Sequence, residues 1–198
     1  MNITKLLGLI VGTAGTTGVA HKSNRRSAAD SQADFAVLVK RFQVPLFGFL
    51  GRMGFGQAQS EDLAQETFLR AWQALAQYDA QRAEFSTWLF TIARNLAINE
   101  RCRASNHHEV WEGSMPIDMP SQELGPSEVL ARAQQREQLR SALAQLAAGD
   151  RCVLALAYVS ELDLASIARI EGCTTGAVKT RLHRARTRLA EILENPNA

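Results

Sequence analysis

From Leu162 to Ala190, two short stretches of helical periodicity flank a single glycine, which restricts this region to a pair of packed helices. Asp163 stands where an N-cap carboxylate opens the first helix. Gly172 supplies the backbone freedom of the turn, and Thr174 stands where a hydroxyl caps the second helix. On a helical wheel Val178, Leu182, Ala185, Leu189 and Ile192 share one arc. Thr180, His183, Arg184 and Thr187 lie opposite, with Lys179, Arg181, Arg186 and Arg188 on the shoulders. No Asp or Glu occurs from Cys173 to Ala190, so nothing within the second helix neutralises these cations, and a polyanion is their natural counterpart. A helix, a glycine turn and a cationic helix form the arrangement by which a helix-turn-helix lays its second helix in a DNA groove. Thr180, His183 and Arg184 are placed for base edges, and the shoulder cations for phosphates.

Composition sets the frame around this motif. The 198 residues, 46% of them apolar, suffice for one or two small domains. A net charge of +2 conceals a segregation: Glu109, Glu112, Asp118, Glu123 and Glu128 fall in the stretch 104–131, which has no Lys or Arg, whereas the end of the chain is basic. Cys102, Cys152 and Cys173 form no CxxC and have no histidine at metal-ligand spacing, which argues against a disulfide framework and a structural zinc site. His107 and His108 are adjacent, in a stretch that reads as a linker. No nucleophile, base and orienting acid occur together, and no glycine loop of phosphate-cradling type is present. The expectation is therefore a binding protein without cofactor, metal or catalytic residues.

Three further helices are expected ahead of the motif. Phe35, Val39, Phe42, Leu46 and Phe49 recur at near-helical spacing from Asp34 onward, with Pro45 as a kink and Gly51, Gly54 and Gly56 ending the run. Ser60 to Leu75 carries an apolar stripe of Ala64, Phe68, Ala71 and Leu75, flanked by Trp72. On its other face Asp62, Gln65, Glu66 and Gln73 surround Leu69, and an apolar side chain ringed by acids and amides suits protein docking. Phe85 to Arg103 turns Phe85, Leu89, Ile92 and Leu96 inward. Beside that arc run Trp88, Thr91, Asn95 and Asn99, then Arg94 and Arg101, an aromatic and amide edge of the kind that holds unpaired bases. Trp88 reads equally well as core. Ser105 to Ser127, with Pro116, Pro120, Pro126, Gly113 and Gly125, reads as a linker. Before all of this, Lys5 precedes an apolar, glycine-rich run from Leu6 to Ala20 that is similar to a short secretory segment. Export does not suit a DNA-binding chain, so residues 1–30 are expected to be a disordered extension or a non-native start, with Val19 as one initiation point.

Three blocks in order carry a family resemblance: Asp62 to Trp72, Phe85 to Asn99 and Gly176 to Arg186. Together they resemble the successive signatures of sigma-70-type RNA polymerase sigma factors, over about Asp34 to Glu194. The short chain resembles the extracytoplasmic function (ECF) group, which holds only the sigma-2 and sigma-4 domains. The resemblance implies an all-α protein of two small helical domains. Residues 31–104 would be the sigma-2-like bundle, 105–127 a flexible acidic linker, and 128–198 the sigma-4-like helix-turn-helix. It implies a transcription initiation factor of the bacterial cytoplasm, involved in stress response, that binds core RNA polymerase and directs it to promoters.

By the same resemblance, Asp62, Gln65, Glu66 and Leu69 become candidates for docking on the beta-prime clamp helices, and the beta flap is a further contact. Tyr78, Trp88, Arg94, Asn95, Asn99 and Arg101 become candidates for the single-stranded −10 element. Thr174, Lys179, Thr180, Arg181, His183, Arg184, Arg186 and Arg188 become candidates for the duplex −35 element. A cognate anti-sigma factor is implied as well, often membrane-spanning and so able to hold the chain at the inner membrane. The acidic linker reads either as a tether or as an imitation of nucleic-acid charge in the polymerase channel. His183 departs from the larger or more apolar residues usual at its position, which leaves the −35 sequence open. A rival from another class is a dimeric DNA-binding regulator, but such a protein has no reason to carry the block from Asp62 to Asn99.

Overall fold

The computed structural model describes residues 28–106 and 126–195, and over these every regular element is a helix. In order come α1 (Ala28–Met53), α2 (Gln57–Gln73), a 3-10 turn (Leu75–Gln77), α3 (Phe85–Asn106), α4 (Pro126–Ala144), α5 (Ala148–Tyr158), α6 (Leu164–Glu171) and α7 (Thr175–Glu194). The residues 1–27 and 107–125, which hold most of the expected N-terminal extension and acidic linker, lie outside the described residues. Among the described residues, no helix is long and apolar enough to cross a membrane, and no group of His, Cys, Asp and Glu is placed to hold a metal ion.

The first three helices pack pairwise around Phe35, Val39, Leu46, Phe49, Leu50, Phe68, Leu89 and Phe90. Helix α1 begins at Ala28, earlier than the periodicity suggested, and Pro45 lies within it without ending it. The proline forfeits one backbone hydrogen bond, and the buried residues to either side hold the helix together. It stops at Gly54, whose φ of 94° is left-handed. Helix α2 starts before Ser60 and ends at Gln73, leaving Leu75 in the 3-10 turn. Two hydroxyls in its buried face are satisfied locally: Ser60 Oγ donates to the Phe55 carbonyl at 3.3 Å and Thr67 Oγ1 to that of Leu63 at 2.7 Å. On α3 the buried residues are Thr87, Leu89, Phe90, Ala93, Leu96 and Ala97, whereas Phe85 and Ile92 are only half-buried.

Helix α5 ties the two halves of the chain together. Arg151, Cys152, Val153, Leu154, Ala155 and Leu156 are all buried, a run that leaves the helix no solvent face over its middle. A helix that is apolar all round has to be surrounded. It packs on α1 on one side and on α7 on the other, while α6 rests on α3. One continuous apolar cluster therefore runs from Phe35 through Val153 and Ile167 to Val178. The two helical modules expected on either side of the linker thus also share a core over the described residues. Arg151, 4% exposed, donates to the last carbonyls of α4, at Leu143 and Ala144, both at 3.3 Å. Burial and the nearby Arg101 bring its pKa down to about 10, so it remains charged near neutrality.

The helix-turn-helix forms as its punctuation requires. Asp163 Oδ1 accepts from the Ser166 N–H at 2.7 Å, and Thr174 Oγ1 accepts from the Ala177 N–H at 3.2 Å. Gly172 adopts φ 65°, and the following Cys173 N–H donates to the Ala168 carbonyl at 3.0 Å, closing the C-terminal turn of α6. A Cβ on Gly172 would meet nothing within 4 Å, so replacement brings backbone strain without a clash. Gly172→Ala should thus cost about 1–2 kcal/mol, read by denaturant unfolding. A loss below a few tenths of a kcal/mol would show that the turn relaxes into another conformation.

Candidate nucleic-acid interface

Helix α7 presents its cations as a ridge. Val178 and Ala185 are buried, and Leu182, Leu189 and Ile192 are partly buried against α4 to α6, which turns Lys179, Thr180, His183, Arg184, Arg186 and Arg188 to solvent. Thr174 is exposed at the N-cap. The hydroxyls on this ridge are turned back onto the helix: Thr180 Oγ1 donates to the Gly176 carbonyl at 3.0 Å and Thr187 Oγ1 to that of His183 at 3.2 Å, leaving oxygen lone pairs outward. Arg186 also borders an apolar groove of about 410 Å³ lined by Leu139, Leu143, Leu154, Tyr158, Leu189 and Leu193.

Arg181 is committed differently. Its Nη1 donates to Glu171 Oε2 at 3.0 Å, across the turn, with its side chain 40% exposed. The Glu171 side chain is 3% exposed and takes a second guanidinium through Oε1, from Arg94 Nε at 3.0 Å. The Cys152 thiol donates to the same oxygen at 3.4 Å, and burial together with this carboxylate pushes the thiol well above its ordinary pKa.

On α3 the residues expected at unpaired bases divide into two sets. The rings of Tyr78 and Trp88 lie 5.1 Å apart at 34°, and both contact Phe85, with centroids at 5.6 Å. Tyr78 donates its hydroxyl to the Ala83 carbonyl at 3.1 Å, and burial with Glu84 and Asp79 nearby raises its pKa. Trp88 is half-buried, packed on the core cluster and against the rings of Tyr78 and Phe85. Asn95 is exposed, and its Oδ1 accepts from Arg94 Nη1 at 3.3 Å. Asn99 is exposed one helical turn beyond. Arg101 is turned inward: it donates to the Met53 carbonyl, and burial lowers its pKa. In this arrangement Arg94, Arg101 and Arg181 are all engaged by protein groups.

The acidic face of α2 is open. Asp62 is exposed, and Gln65, Glu66 and Leu69 are half-buried beside it. Glu66 accepts from Arg70 Nε at 2.6 Å, one turn along, with both side chains about half exposed at 41% and 53%. Such an exposed pair contributes little and is easily exchanged for a partner.

The sequence offered only an indirect sign of Glu171, an acid in the last turn of a helix, where the dipole disfavours negative charge and a tertiary cation has to compensate. Cys152 and Arg151 carried no local sign beyond the apolar run around them.

Comparison with known proteins is consistent along the chain. The Sigma-70 region 2 family model matches residues 38–107, and the model for Sigma-70, region 4 matches residues 136–189. The ECF RNA polymerase sigma factor SigL of Mycobacterium tuberculosis is 36% identical over 159 residues, covering 80% of this chain and 88% of that protein. The ECF RNA polymerase sigma factor SigW of Bacillus subtilis is 31% identical over 171 residues, covering 83% and 91%. Among solved structures, the sigma factor RpoE of Bartonella quintana, crystallised with the anti-sigma factor NepR, superposes with a TM-score of 0.64. It is 27% identical and covers 81% of this chain and 97% of that one. CnrH, in complex with the cytosolic domain of CnrY, has the same fold at a TM-score of 0.61 and 22% identity, covering 98% and 97%.

Proposed function

This chain belongs to the extracytoplasmic function group of the sigma-70 family, factors that direct RNA polymerase to specific promoters, and from that membership we propose how its surfaces divide the work. The ridge of α7 reads the duplex −35 element: Thr180, His183 and Arg184 meet base edges, while Thr174, Lys179, Arg186 and Arg188 hold phosphates. The edge of α3 holds unpaired −10 bases, with Tyr78 and Trp88 stacking and Asn95 and Asn99 bonding base edges. The face of Asp62, Gln65, Glu66 and Leu69 docks on the beta-prime clamp helices, with the beta flap meeting the second module. The observation that carries this reading is the presence on one chain of two surfaces of different chemistry, a cationic helix ridge and a half-exposed aromatic and amide edge. A dimeric repressor needs only the first.

The contribution to promoter melting is differential binding, without bond-making by this chain. Each captured base gains roughly 1–3 kcal/mol by stacking, against a few kcal/mol to unstack and unpair it. These terms nearly cancel for one base, so melting needs the whole polymerase, and the free chain binds promoter DNA weakly. As a partner of RNA polymerase the chain works in the bacterial cytoplasm. A cognate anti-sigma factor is the expected inhibitor, given that similar sigma factors are found in such complexes.

Transcription from a promoter library with core polymerase and this chain tests the reading. Enrichment of paired −35 and −10 elements is expected, and initiation at no template by a folded preparation would overturn it. In the same assay Arg184→Ala should cost about 1–3 kcal/mol and relax the preference at one −35 position, as loss of a bidentate base contact does. Equal weakening on all sequences would reassign Arg184 to a phosphate.

A further inference from the structure

We propose that Glu171 is an intrachain clasp, one carboxylate that sets the register in which the two nucleic-acid-reading modules close on their shared core and takes Arg94 of the −10 edge out of use until they part. The inference rests on the division of surfaces proposed above and adds a control to it. The Glu171 side chain is almost fully buried, and its two oxygens are divided: Oε1 faces Arg94 on α3, and Oε2 faces Arg181 on α7. The Cys152 thiol completes the set from α5. The carboxylate thus stands where α3, α5, α6 and α7 meet, at the seam of the two halves.

The geometry makes the clasp conditional. A buried carboxylate is tolerated only while its cations are present, and removing one partner leaves a charge that the interior disfavours strongly. Arg94 is the only one of the two arginines on the first module, so only its bond crosses the seam. When a phosphate or a base draws Arg94 away, Glu171 loses half its compensation, and the closed seam becomes unfavourable. Opening returns Glu171 to water while Arg181, on its own module, stays with it. A buried ion pair contributes little net stability over its hydrated parts, so the clasp sets the register of the closed state without locking it irreversibly. The contact reaches the reading edge itself, since Arg94 also holds the Asn95 carboxamide oxygen. In the closed chain, both Arg94 and Asn95 are therefore occupied.

The test uses the full chain, free of polymerase, with a pair of distance-reporting labels at the exposed residues Val37 on α1 and Thr187 on α7. Glu171→Gln keeps the shape of the side chain and removes its charge. It should add a longer-distance population and tighten binding of a single-stranded −10 oligonucleotide by roughly three- to tenfold, as release of a larger competent fraction does. Linkage requires the converse in the unaltered sequence: saturating oligonucleotide should lengthen the label distance. A folded Glu171→Gln chain with the parent distance distribution and affinity would overturn the clasp. So would an oligonucleotide that binds the parent chain without lengthening the distance, and this second measurement decides alone if the variant does not fold. A parent chain that fails to support initiation would remove the proposed division of surfaces, while the effect of Glu171→Gln on label distance would still report on the clasp.

Discussion

Replacing Asp62 and Glu66 together by Lys should abolish capture of core polymerase while leaving the helical signal and thermal stability of the chain nearly unchanged. Neither carboxylate holds the fold: Asp62 is exposed, and the bond from Arg70 to Glu66 is an exposed pair one turn apart. Surface changes of this kind alter stability by roughly 0.5 kcal/mol or less. Docking is another matter. The two residues flank Leu69 on a face that offers a partner both an apolar contact and negative charge, and reversal sets Lys against whatever cations that partner presents. Like-charge juxtaposition at an interface costs several kcal/mol, so a loss of about a hundredfold or more is expected. Pull-down of core enzyme with the double variant, alongside a circular dichroism melt, reads both quantities. Binding within a few-fold of the parent would remove this face of α2 from the docking assignment.

Local rules accounted for much of the fold, and long-range packing escaped them. The caps at Asp163 and Thr174 and the left-handed Gly172 follow from short-range chemistry, and each stands where its residue type requires. The buried arc of α7 was equally legible, because period 3.6 separates Val178 and Ala185 from His183 and Arg184 without ambiguity. On α3 the wheel was less decisive. Phe85 and Ile92 proved half-buried while Phe90, Ala93 and Ala97 were fully covered, because the helix is enclosed over a wider arc than a single apolar stripe. Helix α5 shows the larger gap. Its middle is buried over six consecutive residues from Arg151 to Leu156, more than a full turn, so no single stripe told which neighbours would enclose it. From that helix follow the shared core and the burial of Glu171. Contacts that join α3 to α6 lie 77 residues apart in sequence, as Arg94 and Glu171 do, and no local pattern encodes such a pair.

The same distinction between core and reading edge yields the largest expected stability effect. Phe90 is fully buried on α3 and meets Phe49 of α1 edge to face, with ring centroids 5.6 Å apart at 78°. Leu89, Ala93 and Leu50 of the same core cluster are also covered, and a close-packed interior relaxes only partly around a missing ring. Phe90→Ala should therefore cost about 3–5 kcal/mol, a large share of the roughly 5–15 kcal/mol that holds a domain of this kind folded. Trp88, two residues earlier, is half-exposed, and its ring leans on Tyr78 and Phe85 at the surface of the same helix. Trp88→Ala should cost less stability and more binding of a single-stranded −10 oligonucleotide, at about 1–3 kcal/mol for a lost stacking partner. Chemical denaturation and oligonucleotide titration of the two variants separate the roles. A Phe90→Ala chain destabilised by less than about 1 kcal/mol would mean that this core collapses around a cavity more readily than its packing allows. A Trp88→Ala chain that binds the oligonucleotide like the parent would return Trp88 to the core and leave base capture to Tyr78, Asn95 and Asn99.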